Sequence, residues 1–299
     1  MEINWQITTD DKACVKAIIE KQQNTELVRD RHARNLAETK PHVTKERLWE
    51  VMVCMRLTTL ASSGPKSKLA TFQSLSPFPL TYDKMCEKQK QSCEDFILRT
   101  LRTHEVGTHR IKISQDLANV FNLLENHEGQ RALDQCNRLV RLEQREIEAA
   151  VANYINDTFK GFGPKQSRNV LQTLGLTRYE IPIDSRVTNW LNDKLKFPFK
   201  LTSKALSDRD CYRLVLDAVC KLCSECETYP YPIKPDYNSS GDAQHDFDTK
   251  VAQYVTKELN NIDGFTLLDD ANRYKIVMPN GWAERAKQPM KVKAASTVN

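Results

Sequence analysis

Two side chains in this sequence have the type and setting to act on an electrophilic carbon: Lys165 and Asp184, nineteen positions apart. Lysine is a nucleophile only as the neutral amine, and Lys165 falls in the first turn of a predicted helix, where the helix dipole disfavours a positive charge. Asp184 stands directly before Ser185-Arg186-Val187 and reads as an N-cap, with Ile181-Pro182-Ile183 as an apolar plug ahead of it. A carboxylate fixed at such a cap is a rigid counter-charge for a sugar cation or an attacking amine. Taken singly, each residue has an ordinary alternative: a solvated lysine touching a phosphate, and a plain helix cap. Taken together, they pair a nucleophile with its electrostatic partner.

The elements that must position them are written locally. Ile147, Val151, Tyr154, Ile155 and Phe159 form one apolar stripe on a helix over 143–159, which ends at Lys160. Gly161 and Gly163 follow, and both are expected to use positive φ angles or close backbone approach in a very tight turn. Pro164 suits the first turn of a helix, Val170, Leu171 and Leu174 supply that helix's buried face, and Gly175 stops it. Residues 159–175 thus read as helix, two-glycine hairpin, helix. The hairpin exposes backbone N–H groups at a positive helix end, which suits a DNA phosphate. Lys160, Gly161, Gly163, Arg168 and Arg186 are the candidate backbone contacts.

Gly161-Phe162-Gly163-Pro164-Lys165, followed by Asp184 in Ile-Pro-Ile-Asp-Ser-Arg-Val, resembles the helix-hairpin-helix DNA glycosylase superfamily. The resemblance covers 143–195, and less specifically 44–72. Members with lysine directly after the Gly-x-Gly-x turn are the bifunctional glycosylase/lyases, such as endonuclease III and the 8-oxoguanine glycosylases. The resemblance implies that Lys165 is the Schiff-base nucleophile and Asp184 the catalytic aspartate. Within the earlier helix, relatives place a Gln or Asn that fills the gap left by the flipped base. Leu60 stands there in this chain, a candidate wedge that can intercalate but cannot hydrogen-bond the orphaned base.

Nine cysteines separate the branches of that superfamily. Endonuclease III-type members carry an iron–sulfur cluster on a Cys-x6-Cys-x2-Cys-x5-Cys run. Cys211, Cys220, Cys223 and Cys226 are separated by eight, two and two residues and follow Asp184 too closely. Spacing by three spreads the last three sulfurs around a helix, so buried free thiols are expected, with no metal and no cofactor. The closest resemblance is then to 8-oxoguanine glycosylases without a cluster, especially compact microbial forms.

The whole-chain properties agree with nucleic acid as partner. Hydrophobic residues make up 40% and charged residues 28% of the 299, the balance of a globular protein. No apolar run is long enough for a membrane helix, and the N-terminus lacks signal-peptide character, so an intracellular, cytoplasmic protein is expected. From Lys160 to Arg213 there are eleven Lys or Arg against five Asp or Glu, a surplus larger than the +5 of the entire chain.

Helical periodicity also marks 10–22, 44–60, 92–103, 114–125, 128–140, 185–195 and 208–226. The expected fold is all-α: a two-lobed glycosylase core over 1–228, with Lys165 and Asp184 facing one cleft. A Pro- and Ser-containing linker over 229–246 leads to a small appendage over 247–285, with a helix at 247–259 and a β-hairpin over 265–278. A basic tail over 286–299 is expected to be disordered. The expected activity is excision of an oxidised base, 8-oxoguanine first, from double-stranded DNA by a monomer, with β-elimination at the resulting site. A glycosylase for another lesion and a non-catalytic DNA-binding module remain the alternatives.

Overall fold

The computed structural model describes residues 2–22, 24–59, 66–88, 92–142, 144–226, 266–270 and 273–277. It divides into two units, Glu26–Pro182 and Met1–Thr25 together with Ile183–Asn299. Among the described residues the chain is mainly helical.

The unit over 26–182 holds nine helices among its described residues: α2 (Glu26–Asn35), α3 (Lys45–Leu57), α4 (Lys68–Gln73), α5 (Tyr82–Cys86), α6 (Cys93–Thr103), α7 (Arg110–Leu124), α8 (His127–Arg141), α9 (Arg145–Thr158) and α10 (Pro164–Leu174). Thr44 caps α3 through its side chain, which accepts from Arg47 N at 3.3 Å. This helix is apolar on most sides, and it packs against α5, α7, α8 and α10. Leu48, Trp49, Met52, Val53 and Leu57 are all fully buried. Each such side chain contributes roughly 1.5–3 kcal/mol relative to exposure. Trp49 also satisfies its indole N–H on Leu80 O at 2.8 Å. Around this helix, Ile97 and Leu101 of α6, Leu117 and Phe121 of α7, and Val151 and Ile155 of α9 complete the core.

In the other unit, α1 (Thr9–Gln22) packs on α12 (Arg209–Glu225), which buries Leu214, Val215, Leu216, Ala218 and Leu222. Between them in sequence lies α11 (Ser185–Asp193). Strands β2 (Thr266–Asp270) and β3 (Arg273–Val277) run antiparallel within the segment read as a hairpin. Strand β1 (Glu2–Asn4) adds to β3 in parallel, Ile3 opposite Ile276, giving the order β1-β3-β2. The N-terminal residues therefore belong with the C-terminal strands, which a segment-by-segment reading of the sequence does not anticipate. The linker at 229–246, the helix at 247–259 and the tail at 286–299 lie outside the described residues.

Candidate functional site

The hairpin is anchored by two aromatic side chains. Phe159 and Phe162 are each 1% exposed, and Phe162 N–H donates to Phe159 O at 3.2 Å to close the turn. Between them Gly161 has φ +87°. A Cβ there would lie 2.5 Å from Arg56 Nε and 2.8 Å from Asp116 Oδ2, so both the conformation and the space require glycine.

Gly163 departs from the expectation of a positive φ. Its φ of −73° and ψ of −175° are open to any residue, and nothing lies within 4 Å of where a Cβ would be. What the missing side chain leaves at Gly163 is uncovered backbone. Pro164 then starts α10, which has no side-chain cap, and Ser167 N–H makes the first helical bond, to Gly163 O at 3.0 Å. The N–H groups of Lys165 and Gln166 precede that bond and have no acceptor within the helix. Gly175, with φ +78°, ends α10 as a left-handed cap.

Lys165 is half-buried on this first turn, while Lys160 is exposed beside it. Arg168, expected on a phosphate, is instead turned inward. It is 1% exposed, its guanidinium donates to Pro164 O at 3.0 Å, and its Nε lies 2.6 Å from Glu180 Oε2 in a fully buried ion pair. A side chain committed in this way holds the hairpin from inside and does not reach a phosphate. Its partner follows twelve positions later, across the end of α10, so spacing on the helix itself gives no hint of it.

A second buried pair lies directly beneath the turn. Arg56 at the end of α3 donates through Nε and Nη2 to Asp116 Oδ2 of α7, at 3.1 and 2.8 Å. Lys112 Nζ reaches Asp116 Oδ1 at 2.9 Å with its side chain 63% exposed. Two cations thus share one carboxylate next to Gly161, which leaves positive charge beside the hairpin. Arg56 and Asp116 are remote from each other in the chain, so no local pattern marks their pairing, and Lys112, one helical turn before Asp116, looks in sequence like any surface i,i+4 pair.

The loop after α10 is tied down by Glu148 of α9. This carboxylate is fully buried and accepts from Thr177 Oγ1, Arg178 N, Tyr179 N and Glu180 N at 2.7 to 3.0 Å. Burial pushes the Glu148 carboxyl up, against the opposing pull of those four bonds.

Asp184 belongs to the other unit. Ile183 is buried, and its N–H donates to Tyr212 Oη at 2.6 Å, which fixes the chain just ahead of the cap. Of the expected plug, Ile181 and Pro182 are only half-buried. Asp184 caps α11, with Oδ1 accepting from Arg186 N at 2.9 Å and Val187 N at 3.1 Å. Its Oδ2 accepts from Arg186 Nε at 2.9 Å and Nη2 at 2.6 Å. Burial alone would raise the Asp184 carboxyl, but the Arg186 guanidinium and the two backbone donors outweigh it and hold the group below its ordinary value. Arg186, expected on a phosphate, is thus paired with Asp184 while its own side chain is 76% exposed.

Leu60 lies outside the described residues. Among the described residues no three His, Cys, Asp or Glu side chains gather as a metal site, and no helix is long and apolar enough to cross a membrane. Burial pushes the Cys223 thiol up to about 12. Comparison with family models, with curated proteins and with solved structures finds no match to this chain.

Proposed function

We propose that this chain is a helix-hairpin-helix DNA glycosylase with lyase activity at the resulting abasic site, acting on an oxidised base, 8-oxoguanine first. The observation that carries the reading is the placement of Lys165 on an uncapped helical first turn, directly after a hairpin whose Gly163 backbone is uncovered. Open N–H groups and Lys160 and Lys112 nearby would hold the phosphates of one strand. Lys165 would then face the sugar of a nucleotide taken out of the stack.

In this mechanism the Lys165 nitrogen forms a bond to C1′ as the glycosidic C–N bond breaks, and the base leaves with a proton. Asp184 stabilises the positive charge that develops on the sugar. The sugar ring opens to a Schiff base, which acidifies the 2′ proton. Loss of that proton expels the 3′ phosphate oxygen and cuts the strand. The Asp184 Oδ2 is engaged by Arg186 in the free protein, so the reaction requires that guanidinium to move, and its exposure permits this. The protein acts as a monomer on double-stranded DNA inside the cell.

The Arg186 pairing also favours a second reading, in which Asp184 is an inert cap and the protein only binds DNA. Borohydride reduction with abasic and lesion duplexes separates the two. The glycosylase reading expects a covalent protein–DNA adduct; a panel of lesion and abasic duplexes that yields none would leave the binding-only reading standing.

A further inference from the structure

The first turn of α10 lacks the side-chain cap that ordinarily stops a helix end from fraying, yet it carries Lys165. What ties it to the end of α3 is the next residue. Gln166 is 7% exposed, and its Nε2 donates to Thr59 Oγ1 at 2.9 Å and to Thr58 Oγ1 at 3.3 Å, both at the end of α3. Its Oε1 accepts from Asn169 Nδ2 at 2.9 Å. The Thr58 hydroxyl proton is spent on Met55 O at 2.7 Å, so towards Gln166 this hydroxyl can only accept. The amide is therefore locked with its NH2 on α3 and its oxygen on α10. A flipped amide would set two acceptors against each other.

We propose that Gln166 is a positioning residue that clamps the first turn of α10 to the end of α3 and so fixes the direction in which Lys165 leaves the helix. The inference rests on Lys165 being the nucleophile. A clamp of this kind acts on geometry: binding is spread over several basic groups and backbone donors, whereas attack on C1′ depends on where one nitrogen sits. Misplacing a reacting group by about 1 Å costs up to roughly a hundredfold in rate. Arg168, donating to Pro164 O, holds the same turn from inside the helix, so loss of Gln166 loosens the turn without unfolding it.

The test is single-turnover borohydride trapping of an abasic-site duplex at saturating protein, with melting temperature and duplex affinity measured alongside. Gln166→Met keeps length and removes the amide; Thr59→Val removes the nearer acceptor at a half-buried position. Gln166→Met should slow trapping roughly ten- to a hundredfold, with duplex affinity changed less than about threefold. Thr59→Val should slow it less, and the double variant should be no slower than Gln166→Met alone. A merely structural glutamine would lower the melting temperature without lowering the saturated rate, and a folded Gln166→Met protein trapping at the wild-type rate overturns the clamp. Additive effects of the two substitutions overturn it as well. Amide exchange of Ser167 and Arg168 gives an answer independent of activity: it should quicken about tenfold in Gln166→Met, and unchanged exchange counts against the clamp. Wild-type protein that traps no abasic duplex would sink the lyase reading instead, and the exchange result would still decide the clamp.

Discussion

At the residue scale, Asp184 bonds through both carboxylate oxygens, and the two oxygens do different work. Oδ1 caps α11, and Oδ2 holds Arg186. Asparagine caps a helix within a few tenths of a kcal/mol of aspartate, so Asp184→Asn should keep fold and DNA affinity. It should lose about 3–4 kcal/mol of transition-state stabilisation, measured as single-turnover excision beside a melting temperature. A stable, fully active Asp184→Asn protein contradicts the catalytic role.

Arg186→Ala should let the Asp184 carboxyl rise towards its ordinary value, measured by carboxyl-carbon NMR titration. The Asp184 pKa is depressed in the folded protein, so its contribution to stability is present above the unfolded-state pKa and is lost as pH falls through the folded one. The stability gap between wild type and Arg186→Ala should accordingly be about 0–1 kcal/mol at neutral pH, the worth of an exposed pair, and should close in acid. A gap that widens as the pH falls contradicts this assignment. Lys165, Asp184 and Gly175 are legible in the sequence because a helix start, a cap and a stop are local signals. Arg168 is not, since a basic residue on a basic segment looks the same whether it faces a phosphate or a buried Glu180.

At the scale of the element, the two hairpin glycines are predicted to behave oppositely. Gly161→Ala meets both a left-handed φ and the Arg56–Asp116 pair. It should destabilise the fold by several kcal/mol, with strain of about 1–3 kcal/mol from the backbone alone. Gly163→Ala meets nothing and sits at an ordinary φ, so its melting temperature should stay close to wild type. Its methyl group would cover the backbone proposed to meet a phosphate, and duplex affinity should fall several-fold. Thermal unfolding and a binding titration of both variants check the pair; unchanged affinity in Gly163→Ala removes the hairpin from the interface.

The α10 boundaries are legible to the residue because Pro164 and Gly175 punctuate them. Others are not. Helix α2 reads Glu-Leu-Val-Arg-Asp-Arg-His-Ala-Arg-Asn and shows no apolar stripe; what fixes its end is Asn35, whose Nδ2 donates to Gln172 O at 3.1 Å across a long stretch of chain. Helices α4 and α5, at six and five residues, are too short for periodicity to mark. Helix α7 begins at Arg110, a turn ahead of Ser114; Ile111 is 57% exposed, so no apolar stripe marks that first turn in the sequence.

At the scale of the whole molecule, basic side chains beside the hairpin should make binding depend on salt. Each phosphate neutralised adds about −0.9 to the slope of log affinity against log salt on duplex DNA. Lys112→Ala should therefore flatten that slope by about one such step and weaken lesion and undamaged duplexes alike, as a contact to the backbone does. An unchanged slope excludes Lys112 from the interface. Local pattern carried the helical class of this fold, since most helices bury a stripe that repeats along the chain. It could not carry the pairing of Glu2–Asn4 with Lys275–Val277, nor the bond between Arg56 and Asp116, because these join residues with no shared local signature.

The proposed mechanism stands or falls on a covalent bond between the Lys165 amine and the sugar. It is tested most directly by trapping the protein on an abasic-site duplex with borohydride, digesting the adduct and locating the modified peptide by mass spectrometry, with Lys165→Gln in parallel. One adduct is expected, on Lys165, and none in Lys165→Gln, which should still bind the duplex within a few-fold of wild type. An adduct on another lysine, or trapping that survives in Lys165→Gln, would contradict it.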